Sequence, residues 1–278
     1  MDVDEQNKGH YKNPSYYFSS KLCVNSYYID FTNARTMEWL LLSSPMPIIF
    51  ILLAYLYVVY FTGPQFMENR QPYSLKRFIQ CYNLFQIVAN FWLVFNVMTD
   101  GRPFTAVWRY CESLDKICGR NSEKQLKIMW WTLLLKIIDL IETIIFVLRK
   151  KDRQVSFLHT YHHISTVIYA WTTLRHSPHS FLMTIIALNC SIHVIMYSYY
   201  CLSTFGSNMQ RRLLPFKKWI TLIQMVHIAF ITVGSSQGFI LNCGNISVKY
   251  FSIATFLNGI VNLSLFSNFY NSYKKSKT

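Results

Sequence analysis

Charged residues are scarce in this sequence: they make up 14% of its 278 residues, against about a quarter in a typical soluble domain. Acidic residues are the scarcer kind, 13 against 27 Lys and Arg, which gives a formal net charge of +14. With 52% hydrophobic residues, this composition excludes a disordered chain and argues against a soluble globular domain. We expect no nucleic acid partner, because membrane proteins also carry an excess of Lys and Arg in their cytosolic loops.

The first 38 residues are polar and lack the apolar segment of a secretory signal peptide, so we expect none. The sequence also lacks internal repeats, low-complexity linkers and any sign of a second domain. We therefore predict a single integral membrane domain over residues 1–278. It comprises a polar N-terminal segment 1–38, membrane spans within 39–270 and a basic tail 271–278.

Long apolar runs decide the fold class, since a helix needs about 20 apolar residues to cross the bilayer core. The sequence predicts an all-α, multi-pass membrane protein whose seven transmembrane helices form one bundle. The seven predicted spans are Trp39–Phe61, Phe78–Met98, Ile128–Leu148, Ser156–Leu174, Phe181–Ser203, Trp219–Leu241 and Tyr250–Tyr270.

Basic residues concentrate on one side of the predicted spans. The positive-inside rule assigns this side to the cytosol, so we predict a lumenal N-terminus and a cytosolic C-terminus. The basic residues are Arg70, Lys76 and Arg77 after the first span, Arg149, Lys150, Lys151 and Arg153 after the third, Arg211, Arg212, Lys217 and Lys218 after the fifth, and Lys274, Lys275 and Lys277 in the tail.

Four clusters of ionisable and polar residues interrupt the third to sixth spans, where such groups are costly and indicate function. Helical spacing brings the members of a cluster to neighbouring positions on one helix. A buried salt bridge that only fixes packing is the alternative for the third span, but we expect the clusters to form a joint active site. They are Lys136, Asp139, Glu142 and Thr143; His159, His162 and His163; Asn189, His193, Tyr197 and Tyr199; and Lys217, Thr221, Gln224 and His227.

Two chemistries fit the HxxHH pattern of the fourth span. Imidazoles bind iron, zinc and copper, and membrane desaturases and hydroxylases use such histidine boxes. The remaining histidines are too few for two irons, although a single zinc on His159, His162 and His163 stays open. A metal-dependent lipid desaturase or hydroxylase is therefore the alternative function, and a seven-helix receptor or transporter is the non-enzymatic one.

The other chemistry is covalent catalysis by a neutral imidazole. Such a group attacks a thioester to give a reactive acyl-imidazole, and a second histidine serves as acid or base. Lys and Arg on the cytosolic side would then hold the phosphates of coenzyme A while the acyl chain enters the apolar bundle.

At this point the sequence resembles the fatty acid elongase (ELO) family, the very-long-chain 3-oxoacyl-CoA synthases, over roughly residues 39–275. Several motifs in the same order and spacing carry the resemblance. They are GPQFMENRQP from Gly63, Tyr82-Asn83, QVSFLHTYHH from Gln154, NCSIHVIMYSYY from Asn189 and KKWITLIQ from Lys217.

The resemblance implies a decarboxylative Claisen condensation of malonyl-CoA with a long-chain fatty acyl-CoA. The products are a 3-oxoacyl-CoA two carbons longer, CoA and CO2, formed through an acyl-imidazole intermediate on His162. It implies no metal or redox cofactor, a helix bundle around a closed acyl tunnel, and residence in the endoplasmic reticulum membrane. Implied partners are the lipid bilayer and the 3-ketoacyl-CoA reductase, dehydratase and enoyl reductase of the elongation cycle. A homodimer stays open.

The resemblance also implies roles for particular residues. The catalytic set is His162, His193, His159, His163 and Asn189, and the implied disulfide joins Cys111 to Cys243. The acyl-CoA-binding set is Lys136, Asp139, Glu142, Arg149, Lys151, Gln154, Tyr197, Tyr199, Lys217, Thr221 and Gln224.

Two positions depart from the family pattern. The third-span motif KxxExxDT has its acids exchanged, with Asp139 and Glu142 in place of Glu and Asp. In the sixth span, His227 stands where the family commonly has glutamine.

Overall fold

A computed structural model describes most of the chain, namely residues 23–24, 27–28, 35–241, 243 and 245–275. The chain divides into two compact units, Met1–Phe31 and Thr32–Thr278. In the first unit the described residues form a small antiparallel sheet of two strands, β1 (Cys23–Val24) and β2 (Tyr27–Tyr28).

The described part of the second unit is helical. Its seven long helices are α1 (Met46–Met67), α2 (Lys76–Asp100), α3 (Ser122–Leu148), α4 (Phe157–His176), α5 (Phe181–Ser203), α6 (Phe216–Ser235) and α7 (Ile246–Lys275). Its short helices are Pro103–Trp108, Leu114–Cys118, Ser207–Leu213 and Gln237–Ile240, and its 3-10 turns are Gly119–Asn121 and Asp152–Gln154.

Five of the described helices are long and apolar enough to cross a membrane, which makes this a multi-pass membrane protein. They are α1, α2, α5, α6 extended to Ile240, and α7. The two other long helices, α3 and α4, have 27 and 20 residues. Their length is sufficient, but polar residues interrupt their apolar sequence.

The first helix begins and ends later than the span predicted from Trp39 to Phe61. Pro45 occupies its N-cap and Pro47 its first turn, where proline's missing N–H donor is tolerated. At the other end the helix continues to Met67 through a π-helical turn at Val58–Thr62. Part of the predicted first cytosolic loop is therefore helical.

Six helices form a closed ring in which each contacts its two neighbours, in the order α2, α5, α6, α7, α4 and α3. The first helix packs outside this ring against α3. The α6–α7 contact is close enough that a Cβ at Gly259 would overlap the Oγ1 of Thr232, which accounts for a glycine there. Much of the outward surface is apolar and aromatic, as expected of a lipid-facing surface.

The ring has two distinct ends. The first, which we call the basic end, carries the connections 68–75, 149–156 and 204–215. The second, the disulfide end, carries the connections 177–180 and 241–245. At the basic end the connection 68–75 contacts the end of α3, where Tyr73 N–H donates to Leu148 O.

The disulfide end is tied together by interactions between segments far apart in sequence. A disulfide joins Cys111 to Cys243, the pair that the family resemblance implies. Next to it, the hydroxyls of Tyr110 and Ser252 are hydrogen-bonded at 2.7 Å. Cys118, the other cysteine of this segment, is buried and free. The segment between α2 and α3 is thereby held against the start of α7.

Candidate active site

A cavity lies inside the ring and is lined by α3, α4, α5, α6 and α7. Several threonines line it, but their hydroxyls donate to backbone carbonyls one turn earlier, as in Thr132 to Ile128 O and Thr232 to Ile228 O. The cavity wall is therefore mainly apolar.

Five polar side chains gather at the end of the cavity nearer the basic end. Each comes from a different helix, and on each helix it is the cavity-lining residue closest to the basic end. We call this set the polar ring: Lys136 on α3, His162 on α4, Asn189 on α5, His227 on α6 and Asn262 on α7. A polar ring above an apolar cavity suits a molecule with a reactive polar end and a hydrocarbon tail.

The hydrogen bonds around Asn262 assign the tautomer of His162. Nδ2 of Asn262 donates to the backbone carbonyl of Asn258 at 2.9 Å, so its Oδ1 is the atom that faces Nδ1 of His162 at 3.3 Å. An amide oxygen only accepts, so Nδ1 of His162 carries the proton. Nε2 therefore keeps its lone pair, as a nucleophile requires. Tyr161 supports this arrangement, because its hydroxyl donates to Asn258 Oδ1 at 2.9 Å.

His193 has a different environment. Lys136 Nζ lies 3.4 Å from its Nε2 and 3.0 Å from Asp139 Oδ2. An ammonium group only donates, so Nε2 of His193 accepts and its proton is on Nδ1, which faces Asp139 Oδ2 at 3.9 Å. The three groups form a buried ionic cluster directly behind the polar ring.

A second layer of polar groups surrounds this cluster. Gln86 on α2 donates to Asp139 Oδ1 at 2.7 Å, and the Tyr197 hydroxyl donates to Glu142 Oε2 at 3.3 Å. Asn90 in turn donates to Gln86 Oε1 at 3.1 Å. Both exchanged acids of the third-span motif thus have partners, and helices α2, α3 and α5 are joined through hydrogen-bonded polar groups.

The other two histidines of the box do not line the cavity, although the ring of His163 lies 6.1 Å from that of His162. The rings of His159 and His163 are 4.3 Å apart, and these two residues with Glu142 present possible metal-ligand atoms within 4.8 Å of one another. The zinc set considered from sequence contained His162 in place of Glu142. Residues 159 and 163 are four apart and share a helix face, whereas His162 faces α7, so the three imidazoles do not converge.

Several predicted acyl-CoA contacts lie outside the cavity lining. Arg149, Lys151 and Gln154 lie at the basic end, in or beside the connection from α3 to α4. On α6, Thr221 donates to Lys217 O at 3.3 Å. The rest belong to helix ends or packing contacts: Gln224 donates to Met196 Sδ at 3.3 Å, and the rings of Tyr199 and Tyr200 are 5.9 Å apart.

Residues that sequence reasoning missed include Asn262, Asn258 and Gln86. The first two are spaced four residues apart in the final span, and this spacing on one helix face was a usable signal. Gln86 follows Tyr82 by four residues on α2 and donates to its hydroxyl at 3.0 Å. Asn258 and Asn262 join α7, which none of the motifs marked, to the site, whereas Gln86 is on α2, which carries the Tyr82-Asn83 motif.

Comparison with known proteins places this arrangement in context. The model of the ELO: GNS1/SUR4 family matches residues 40–278. The chain is 33% identical over 257 residues to very long chain fatty acid elongase 1 of Mus musculus, covering 91% of both chains. It is 34% identical over 244 residues to the Homo sapiens elongase 1 (87% of both chains), and 32% identical over 251 residues to elongase 7 of Rattus norvegicus (90% of this chain, 89% of that one).

Proposed function

Because the chain belongs to the ELO (GNS1/SUR4) family and is a condensing enzyme of fatty acid elongation, we propose how its polar ring performs the reaction. The substrates are a long-chain fatty acyl-CoA and malonyl-CoA, and His162 carries the acyl group between two half-reactions. The observation that carries this proposal is the hydrogen bond from His162 Nδ1 to Asn262, which leaves Nε2 with its lone pair at the cavity.

In the first half-reaction, His162 Nε2 attacks the thioester carbonyl carbon of the acyl-CoA. The new N–C bond forms, the C–S bond breaks and CoA leaves as a thiolate that takes a proton from solvent. The acyl-imidazole is cationic, with its remaining proton on Nδ1 held by Asn262. His193 is less suited to this role, because its Nε2 already accepts from Lys136.

In the second half-reaction, malonyl-CoA loses CO2 and the electron pair of the broken C–C bond forms an enolate. The enolate carbon attacks the acyl carbonyl carbon, and the N–C bond electrons return to Nε2. This yields the 3-oxoacyl-CoA and restores the neutral imidazole. Loss of CO2 drives the step, so the mechanism uses no metal or redox cofactor. The Lys136–His193–Asp139 cluster supplies a positive group beside the developing enolate.

The cavity is proposed to be a closed acyl tunnel. Its α4 wall runs from His162 to Thr173, about 16 Å at ~1.5 Å per residue. An extended hydrocarbon chain with ~1.52 Å bonds at ~111° advances about 1.25 Å per carbon, so roughly 13 carbons fit along this wall. The disulfide end closes the ring beyond it.

We propose that α3 and α4 also span the membrane, which gives seven spans in all. Their charged and imidazole groups face the inside of the ring, where Lys136 and His163 are buried, so no charge need face lipid. The basic end then lies in the cytosol, where its Lys and Arg meet CoA phosphates, and the disulfide end lies in the lumen of the endoplasmic reticulum. A cytosolic basic end also suits transfer of the product to the reductase, dehydratase and enoyl reductase of the cycle.

A metal-dependent lipid desaturase or hydroxylase is the second candidate, favoured by the grouping of Glu142, His159 and His163. Two histidines and a carboxylate are a known iron-binding set. Metal analysis of the purified protein and assay after chelation separate the candidates. If the protein is an elongase, condensation survives chelation. Activity that is lost on chelation and restored by iron would favour the desaturase or hydroxylase.

The acyl-enzyme is the species that tests the proposed function. Purified protein is incubated with an acyl-CoA without malonyl-CoA, and both released CoA and intact protein mass are followed. We expect about one CoA released per protein and an acyl adduct that peptide mapping assigns to His162. His162→Ala loses the adduct, while His176→Gln, at the far end of α4, keeps it. An adduct on another residue would contradict the assignment.

A further inference from the structure

His227 belongs to the polar ring, but the two half-reactions described above give it no role. Both its ring nitrogens are buried and neither makes a hydrogen bond of good geometry to a protein group, although the backbone carbonyl of Gln224 lies nearby on the preceding turn of α6. Within the described part of the chain, no other histidine has both nitrogens in this state. The side chain lines the cavity that also contains His162.

Buried polar atoms without partners are uncommon in folded proteins, and each calls for an explanation. A neutral imidazole has one N–H donor and one acceptor, and no protein group pairs with either nitrogen of His227 in good hydrogen-bond geometry. The apolar residues next to it on the α6 wall, Ile228 and Ile231, offer it none. A bound molecule that enters the cavity can supply what the protein does not.

The level of His227 within the cavity identifies which part of that molecule it meets. His227 is the α6 residue of the lining that lies nearest the basic end, as His162 is on α4. The apolar wall begins beyond both of them. An acyl group whose reacting carbon is at His162 therefore presents its carbonyl oxygen, and not its hydrocarbon tail, at the level of His227.

We propose that His227 is a further catalytic residue, whose N–H donates a hydrogen bond to the carbonyl oxygen of the acyl thioester. This proposal rests on the proposed function. When His162 Nε2 attacks, the C=O electron pair moves onto that oxygen, and the hydrogen bond strengthens as the charge develops. The pair returns to the carbonyl as the C–S bond breaks, and His227 itself neither gains nor loses a covalent bond. Lys136 is less available as the donor, since Asp139 and His193 already engage it.

Two substitutions separate hydrogen bonding from packing. His227→Leu has a comparable volume but no polar atom, and His227→Gln keeps both a donor and an acceptor. Val226→Leu is the matched control, because Val226 is 60% exposed on the outer face of the same helix. Single-turnover release of CoA from acyl-CoA is measured for each protein. We expect His227→Leu to slow acylation by roughly 10²- to 10³-fold. His227→Gln is expected to stay within about tenfold of wild type, and Val226→Leu to match it.

Thermal unfolding without substrate detects a structural role, because the loss of a packing contact would lower the unfolding midpoint. Removing unpaired buried polar atoms should leave the unfolding midpoint of His227→Leu unchanged or higher. Slower acylation with a lowered midpoint would assign His227 a packing role and overturn the proposal. Wild-type acylation by His227→Leu, with His162→Ala inactive, would overturn this proposal alone. Acylation by His162→Ala at the wild-type rate would overturn the proposed function and this inference with it.

Discussion

At the scale of single residues, acylation of His162 depends on which of its ring nitrogens carries a proton. Asn262 decides this, because its oxygen accepts from Nδ1 while its amide nitrogen is committed to Asn258. The free lone pair on Nε2 is then a consequence of one amide on a helix that carries none of the recognised motifs.

Replacing Asn262 should therefore impair acylation without removing the nucleophile. Asn262→Leu leaves Nδ1–H unpaired and the tautomer unfixed, which costs about 1–3 kcal/mol of activation free energy, or roughly 5- to 150-fold in rate. Asn262→Asp retains an acceptor and should lose less. The measurement is single-turnover CoA release with both variants. Equal rates for Asn262→Leu and wild type would refute the role given to this amide.

Residue-level prediction from sequence was uneven for a physical reason. Motif spacing brought His162, Asn189 and Lys136 together, and all three line one cavity. It did not reach Asn262, because the spacing of Asn258 and Asn262 marks a helix face but does not reveal which helix that face contacts. Only the packing of α4 against α7 identifies its partner.

His179, in the connection between α4 and α5, makes the free energy of unfolding depend on pH. Burial lowers the pKa of its imidazole from 6.5 to about 4. Between those values the unfolded chain binds more protons than the folded one, so this contribution to stability is present above pH 6.5 and is lost as pH falls towards 4. At ~1.36 kcal/mol per pKa unit, the loss approaches about 3 kcal/mol.

The variant His179→Gln isolates this contribution. Unfolding midpoints are measured for both proteins between pH 7 and pH 4.5. We expect the wild-type midpoint to decline relative to the variant over this interval. Parallel curves would show that His179 does not become protonated on unfolding.

At the scale of one element, α3 is a helix of the ring that carries a buried ion pair. Lys136 and Asp139 are 5% and 1% exposed. From sequence, a buried salt bridge was the alternative interpretation of these charges, but the sequence could not indicate that Gln86 and His193 complete the cluster, because those contacts come from α2 and α5.

Breaking this pair should cost more than removing it. Lys136→Met leaves the Asp139 carboxylate uncompensated, which destabilises by about 3–5 kcal/mol, whereas Lys136→Met with Asp139→Leu should recover much of that loss. Unfolding midpoints of the single and double variants provide the test. A double variant that is less stable than Lys136→Met would contradict this account of α3.

At the scale of the whole molecule, a ring of six helices encloses a cavity that is polar at one end and apolar beyond it. The apolar runs predicted the long helices, since hydropathy reflects burial in lipid. They could not predict the ring order, in which α2 contacts α5 and α4 contacts α7. That order depends on side-chain packing between segments distant in sequence.

If the cavity is an acyl tunnel, a bulky side chain part-way down it should shorten the acyl chain that the enzyme accepts. Ala170 lies about two helical turns, or ~12 Å, below His162 on α4. Ala170→Phe should abolish elongation of the longest substrates and spare shorter ones. Ile168→Phe, which changes an exposed position of the same helix, is the control. An unchanged chain-length profile for Ala170→Phe would argue against an acyl tunnel at this cavity.

Condensation through an acyl group carried on His162 is the reaction proposed for this protein, and a radiolabel assay detects it. Purified wild type and His162→Ala are incubated with a panel of fatty acyl-CoAs and radiolabelled malonyl-CoA, and the 3-oxoacyl-CoA products are separated. The mechanism on His162 predicts label in a product two carbons longer than the substrate for wild type only. Labelled product from both proteins, or from neither when wild type is folded and binds acyl-CoA, would contradict it.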